Sequence, residues 1–397
     1  MVDKNTGFDF DAVIPRQGTG CSKWDGVEKV FGSREVLPLW VADMDFAVPA
    51  AVTDKLIERS RHPIYAYNTQ DESLYQAFID WVKRRHGWEI ETDWILVAPG
   101  VVPSIILSIL ALSEPGNGVI IQPPVYPPFF ASIKDNERVI VENPLIENHG
   151  HYEIDFDDLE KKLADPNNKL LLFCSPHNPV GRVWTRAELS RVYELCQKYE
   201  VAVLADEIHH DLVYAGHRHT VFASLGESAS KQSVTFMAAS KTFNIAGLNF
   251  SFIVVPCQRR RSLIRRWFTR LHLNRNNLFG VAATETAYRE GEAWLNCLLP
   301  YLEQNADTLV DFIQCRLPKI KVTKPEGTFL AWLDFRAYFT SAQALEQFLV
   351  YQAKVGLNPG RNFGRQGEGF ARINFATQRS VLLEGLARIE KALQALK

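Results

Sequence analysis

A chain of 397 residues is longer than one hydrophobic core usually supports, so a larger and a smaller packed region are expected. With 46% hydrophobic residues, 23% charged residues and a formal net charge of −2, the composition is that of an ordinary globular protein and offers no electrostatic basis for a nucleic-acid or membrane partner. No stretch has the length of a transmembrane helix, the first residues lack the apolar core of a signal peptide, and the six cysteines (Cys21, Cys174, Cys196, Cys257, Cys297 and Cys315) are too scattered for a zinc or redox motif, so the expected compartment is the cytoplasm.

The first forty-odd residues are rich in turns and aromatics, as in an arm that packs on another part of the molecule. From about Trp94 to Pro256, short apolar runs rich in β-branched residues alternate with longer amphipathic stretches, the pattern of a layered α/β domain. The runs are WILVA, GVIIQ, RVIVE, KLLLFC, VAVLAD, SVTFMA and FSFIVV. Gly100 and Pro103 suit the start of the helix PSIILSILAL, and Thr185 followed by Glu188 is a capping box opening TRAELSRVYELCQKYE. The basic run from Arg259 to Arg266 is interrupted by Leu263 and Ile264, as on the solvated face of a helix. Beyond about Ala283 the pattern is mostly helical, with GEAWLNCLLPYLEQNADTLVDFI the longest periodic stretch and short strand-like runs at Lys321–Thr323 and Gly327–Asp334. The expected organisation is an arm and part of a small domain over 1–48, a large domain over 49–285, and a smaller α+β domain over 286–397.

In an open α/β sheet, ligands bind outside the carboxyl ends of the strands, so the residues after each apolar run are candidate site residues. After KLLLFC comes Ser175-Pro176-His177-Asn178-Pro179, after VAVLA comes Asp206-Glu207-Ile208-His209, and after SVTFMAA comes Ser240-Lys241-Thr242. Three strand ends thus offer an amide, an acid and a lysine to one edge. A lysine past a strand is commonly a snorkelling surface residue, and an aspartate there is commonly a helix N-cap. A desolvated lysine paired with an acid is also what Schiff-base chemistry requires, with the acid set against a pyridine nitrogen.

The segments Ser175-Pro176-His177-Asn178-Pro179-Val180-Gly181-Arg182, Asp206-Glu207-Ile208-His209 and Ser240-Lys241-Thr242-Phe243-Asn244-Ile245-Ala246-Gly247-Leu248 carry a more specific likeness. With Pro38 to Phe46, Pro99 to Pro103, Pro124 to Phe129 and Gly369 to Asn374, they resemble the fold-type-I pyridoxal phosphate (PLP) enzymes of the aminotransferase class I/II superfamily, and in particular their cystathionine β-lyase branch of carbon–sulfur lyases. The resemblance runs nearly end to end. It implies an aspartate-aminotransferase-like fold: a mostly parallel mixed sheet with helices on both faces, plus the smaller α+β domain.

Carried over residue by residue, the resemblance implies that Lys241 binds PLP as a Schiff base and then shuttles the α-proton. Asp206 would keep the pyridine nitrogen protonated, Asn178 would bond the ring's phenolic oxygen, and Tyr126 would stack on the ring. Arg372 would clamp the substrate carboxylate, for which a guanidinium fork is suited, with the backbone of Ala42 helping; the competing reading of Arg372 is a surface ion pair. Gly100, Val101 and Val102 at a helix start, with the Ser240 hydroxyl, would receive the phosphate. Tyr67 would reach the phosphate from the neighbouring subunit of a homodimer with shared active sites, although Tyr65 stands close by.

Some positions depart from the general aminotransferase pattern. Asn249 stands where an arginine is usual and His209 where a tyrosine is usual, and both fit the lyase branch; Ser175 and Ala239 replace the commoner Asn and Pro. The function so implied is β-elimination from L-cystathionine or a related cysteine S-conjugate, giving a thiol (homocysteine), pyruvate and ammonia. An aminotransferase and a regulatory PLP-binding protein are the alternatives.

Overall fold

The computed structural model describes residues 7–69, 72–273 and 275–396, so the first six residues of the expected arm lie outside the described residues. All seven apolar runs form strands of one sheet: β1 (Ile95–Ala98), β2 (Gly118–Ile121), β3 (Val139–Glu142), β4 (Asn168–Cys174), β5 (Ala202–Asp206), β6 (Ser233–Met237) and β7 (Ser251–Val254). Their spatial order is β1-β7-β6-β5-β4-β2-β3. β7 runs antiparallel to both of its neighbours, and the other pairings are parallel. Parallel strands covered on both faces must be apolar throughout, which is why β2, β5 and β6 are buried at every position while the edge strand β3 is not.

The local signals act as expected. Glu188 N–H donates to Thr185 Oγ1 at 3.2 Å and Thr185 N–H to Glu188 Oε2 at 2.8 Å, so the capping box opens the helix Arg186–Lys198. The helix Val101–Leu112 lies across the sheet and buries Ile105, Leu107 and Ile109, each worth about 1.5–3 kcal/mol on transfer from water. Its buried Ser104 and Ser108 satisfy their hydroxyls on the carbonyls one turn back, at 2.8 Å each. The basic run lies on the helix Gln258–Arg270, which buries Ile264 and Phe268 and leaves Arg259, Arg265, Arg266 and Arg270 exposed.

Towards the C-terminus, the long periodic stretch is the helix Glu292–Arg316, packed on the helix Arg379–Ala395. Beside it Phe370–Asn374 is the central strand of a three-stranded antiparallel sheet with Leu330–Asp334 and Asn358–Pro359. The expected strand at Lys321–Thr323 does not form; Lys321 makes one isolated bridge to Asp334. Pro325 has no N–H for a ladder, and the next two N–H groups, of Glu326 and Gly327, turn to the carbonyl of Gly181. The N-terminal arm is fastened to this part of the molecule by Leu37–Pro38, which pairs in parallel with Val355–Gly356.

Candidate active site

Because β1, β4, β5 and β6 point the same way, the segments that follow them meet at one edge of the sheet. They enclose a cavity of about 350 Å³, a size typical of small-molecule sites, with Gly100, Tyr126, Asn178, Asp206, His209 and Lys241 in its walls. A second groove of about 450 Å³, between the arm and the C-terminal region, is lined by Trp40, Leu345 and Tyr351; its carboxylate, Glu346, is already bound by Arg361 at 2.7 Å, and it has no lysine.

Lys241 sits on the one-turn helix Ala239–Thr242 after β6. It is not a snorkelling residue: the amine is deeply enclosed, and the accessible surface that the side chain keeps lines the cavity. Nζ donates to the carbonyl of Ala42 at 2.5 Å. Burial pulls its pKa down to about 8; Asp43 and Asp206 oppose that shift, and Arg372 adds to it. Asp206 ends β5, and a turn rather than a helix follows it, so it caps nothing. Burial pushes its carboxyl up to about 7, against a hydrogen bond of 3.2 Å from the N–H of Ile208. An acid in that state becomes fully charged once a cation lies against it.

Arg372 is buried on the central strand of the smaller sheet, and no carboxylate among the described residues pairs with it. Nη1 donates to Asn178 Oδ1 at 3.0 Å, Nη2 donates to the carbonyl of Trp40 at 3.0 Å, and the buried Nε has no partner. Desolvation brings its pKa down to about 10. A guanidinium in this condition is a site for an anion, and the surface ion-pair reading falls. Asn178, tied by its oxygen to Arg372, keeps Nδ2 free of protein partners. Burial, followed by the charge of Asp206, raises the pKa of Tyr126, so its phenol stays neutral. His209 is held well below its ordinary pKa by burial and then by Lys241; its Nδ1 has no partner, and its ring meets Phe329 edge-on at 5.7 Å.

At the other end of the cavity, Gly100 adopts φ 153° and ψ 165°, a backbone region that is essentially glycine's own, and starts the helix Val101–Leu112. The first-turn N–H groups of Val101 and Val102 have no intrahelical acceptor and border the cavity with Ser240, which suits an anion. Asn249, in a left-handed conformation, lines the same cavity and brings no charge. Tyr67 does not line this chain's cavity; it is 86% exposed, with the guanidinium of Arg275 lying 4.2 Å over its ring. The arrangement fits PLP: a lysine with a depressed pKa, a buried acid at a strand end, an aromatic wall and a helix start facing one cavity.

Sequence reasoning missed the residues that hold this edge together. Asn244 receives the N–H of Met44 at 2.9 Å and donates to the carbonyls of Met44 and Phe46, while Asn374 donates to the carbonyls of Val41 and Asp43 at 2.6 Å each. The loop that carries Ala42 is therefore clamped from two sides. From beneath, fully buried Lys23 meets Asp45 at 2.6 Å, and Arg16 meets both Asp43 and Asp45. The available signal was an asparagine in each of the motifs KTFN and RIN, where an amide can bridge two loops.

The aminotransferase class I and II family matches residues 34–389. Cystathionine beta-lyase PatB of Bacillus subtilis (strain 168) is 44% identical over 386 residues, which is 97% of this chain and 100% of that protein. Among solved structures, cystalysin of Treponema denticola, which contains pyridoxal 5'-phosphate, superposes with a TM-score of 0.96 at 40% identity, covering 98% of this chain and 100% of the other. The PLP-bound C-S lyase of Staphylococcus hominis gives a TM-score of 0.91 at 35% identity, covering 97% and 98%.

Proposed function

This chain belongs to the aminotransferase class I and II family, and from that premise we propose that it is a PLP-dependent carbon–sulfur β-lyase, which cleaves the Cβ–S bond of L-cystathionine or a related cysteine S-conjugate to a thiol, pyruvate and ammonia. The observation that carries this reading is one cavity edge holding an amine of low pKa, Lys241, and a buried acid, Asp206, with a buried guanidinium lacking a carboxylate partner, Arg372, bonded to the wall residue Asn178. Full-length likeness to PatB and cystalysin favours the lyase over the transferase branch.

When bound, PLP supplies an aldehyde that an amine can hold and a ring that withdraws electrons from the substrate's Cα. Lys241 would hold it, with Asp206 at the pyridine nitrogen, Asn178 Nδ2 toward the ring oxygen, Tyr126 on the ring face, His209 alongside, and Val101, Val102, Gly100 and Ser240 at the phosphate. Nζ of Lys241, an amine whose pKa burial lowers, would be the base that takes the proton from Cα. Arg372, behind the wall residue Asn178, would offer its guanidinium to the substrate carboxylate, and Trp40 and Asn178 hold the guanidinium plane still. Ala42 adds backbone to the same end and, through its carbonyl, aims Lys241.

The same reading includes a cytoplasmic homodimer in which Tyr67 of one subunit completes the site around Lys241 of the other, and a division into arm, large and small domains near residues 48 and 285. Its support is the exposure of Tyr67 and the absence of that residue from its own chain's cavity. The deciding assay incubates purified protein with cystathionine alone, and separately with an amino acid and 2-oxoglutarate. Pyruvate and homocysteine should appear together without an added keto acid. Turnover that requires 2-oxoglutarate makes the protein a transferase, and PLP binding without either activity makes it a regulatory protein.

A further inference from the structure

Behind the cavity wall lies a buried polar cluster that the proposed reaction does not use. Asp211, in the turn that follows β5, is fully buried among three hydrogen-bond donors and a further imidazole nitrogen at ion-pair distance. Trp81 Nε1 lies at 3.1 Å, His86 Nε2 at 2.8 Å, His210 Nε2 at 3.1 Å, and Thr242 Oγ1 at 2.8 Å. Glu207 extends the cluster, taking a hydrogen bond from His219 Nε2 and another from the N–H of Phe222, both at 2.8 Å. Burial opposes ionisation of Asp211, yet His210 and His86 hold its carboxyl well below the usual range. His86, His210 and Asp211 are close enough together to suggest a metal site. An ionised carboxylate has about four lone-pair sites, however, and here Trp81 Nε1 reaches both oxygens while His86 and Thr242 each take one.

Of those donors, Thr242 stands apart, because it is the residue directly after Lys241. It closes the helix Ala239–Thr242, a single turn too short to hold its own shape. Asp211 belongs to the segment that also carries Asp206. We propose that Asp211 is a positioning residue, which through the Thr242 hydroxyl anchors the turn bearing Lys241 to the segment bearing Asp206. The amine and the acid are then set by one hydrogen-bonded unit instead of two independent loops. Ala42 and Asn244 tie the same turn to the arm loop, whereas Thr242 ties it to the segment that carries Asp206. This inference rests on the reading of Lys241 as the cofactor-binding amine.

The test measures how readily Lys241 gives up its proton, without any turnover. The full-length protein, stripped of cofactor, is labelled with trinitrobenzenesulfonate across a pH series, and the Lys241 peptide is quantified by mass spectrometry. The wild type should titrate near 8. Thr242→Ser keeps the hydroxyl and should match it. Thr242→Val removes the hydroxyl at similar volume; the loosened turn lets the ammonium reach water, so its midpoint should rise by about one pH unit or more toward that of an ordinary lysine. His86→Phe removes another donor from the same carboxylate, and its ring packs on His210 and His219, away from the Lys241 turn, so it should leave the midpoint in place. An unchanged midpoint in Thr242→Val overturns the proposal, and so does an equal rise in His86→Phe, which would make the cluster merely structural. Should the valine variant fail to fold, Thr242→Ala removes the same hydroxyl, and a wild-type midpoint there is equally fatal. Borohydride trapping of PLP in the wild type checks the underlying reading separately: pyridoxyl on a lysine other than Lys241 overturns that reading whatever the labelling shows.

Discussion

Arg372 donates to the side-chain oxygen of Asn178 across 194 residues of sequence, at 3.0 Å and out of contact with water. One bond thus joins the group proposed for the substrate carboxylate to the amide proposed for the cofactor ring, and it turns the amide so that Nδ2 faces away from the guanidinium. Lysine at position 372 cannot serve Asn178, Trp40 and a carboxylate together, because it lacks the planar fork. Losing one charge-assisted hydrogen bond of about 1.5–3 kcal/mol should lower kcat/KM of Arg372→Lys for cystathionine roughly 10- to 100-fold. Steady-state kinetics check this, and a wild-type kcat/KM in the variant would remove Arg372 from the site.

Asp206 and its neighbour Glu207 are both buried, but they face different surroundings. Asp206→Asn keeps the shape and removes the charge against a pyridine nitrogen, so activity should fall by about 10²-fold or more while the melting temperature barely moves. Glu207 is bonded to His219 and to the N–H of Phe222, so Glu207→Ala leaves buried donors unsatisfied at about 1–3 kcal/mol each and should lower the melting temperature. Activity and thermal unfolding have to be measured together for this pair. Equal activity per folded molecule in the two variants would contradict the role given to Asp206.

The depressed pKa of Lys241 sets a pH dependence for cofactor capture. Only the neutral amine attacks an aldehyde, and its fraction grows as pH rises through about 8. The rate at which cofactor-free protein takes up PLP should therefore climb from about pH 6 and level off above about pH 9, whereas an unperturbed lysine would keep climbing past about pH 10. Stopped-flow absorbance follows the uptake. A profile still rising at the alkaline end would mean that burial does not govern this amine.

Tyr67, exposed in one chain, should act in its partner's site. Lys241→Ala and Tyr67→Phe are expected to be nearly inactive as homodimers. If they are co-expressed so that subunits mix at random, half the dimers carry one intact site, and about a quarter of wild-type activity should return. Activity that stays at the level of the separate variants, in a sample shown to contain heterodimers, would place Tyr67 in its own subunit's site or in none.

What the sequence by itself determined is what local chemistry can encode. The apolar runs specify the inner strands of the sheet because a strand buried on both faces must be continuous in hydrophobicity, and the capping box at Thr185 and Glu188 specifies a helix start because both its bonds close within one turn. Parallel strands then bring their carboxyl ends to one edge, so Asn178, Asp206 and Lys241 could be placed together before any fold was seen. The run at Lys321–Thr323 also looked like a strand, but Pro325 and the carbonyl of Gly181 drew the following chain away. Only the tertiary structure decided the polar contacts that make the edge rigid: Arg372 with Asn178, Asn244 and Asn374 with the arm loop, Lys23 with Asp45, and Thr242 with Asp211. Apolar burial repeats with the period of a helix or strand and so leaves a pattern in the sequence. A hydrogen bond between one amide, acid or hydroxyl and a group 22 to 333 residues away has no period, and it exists only where the packed elements bring the two together.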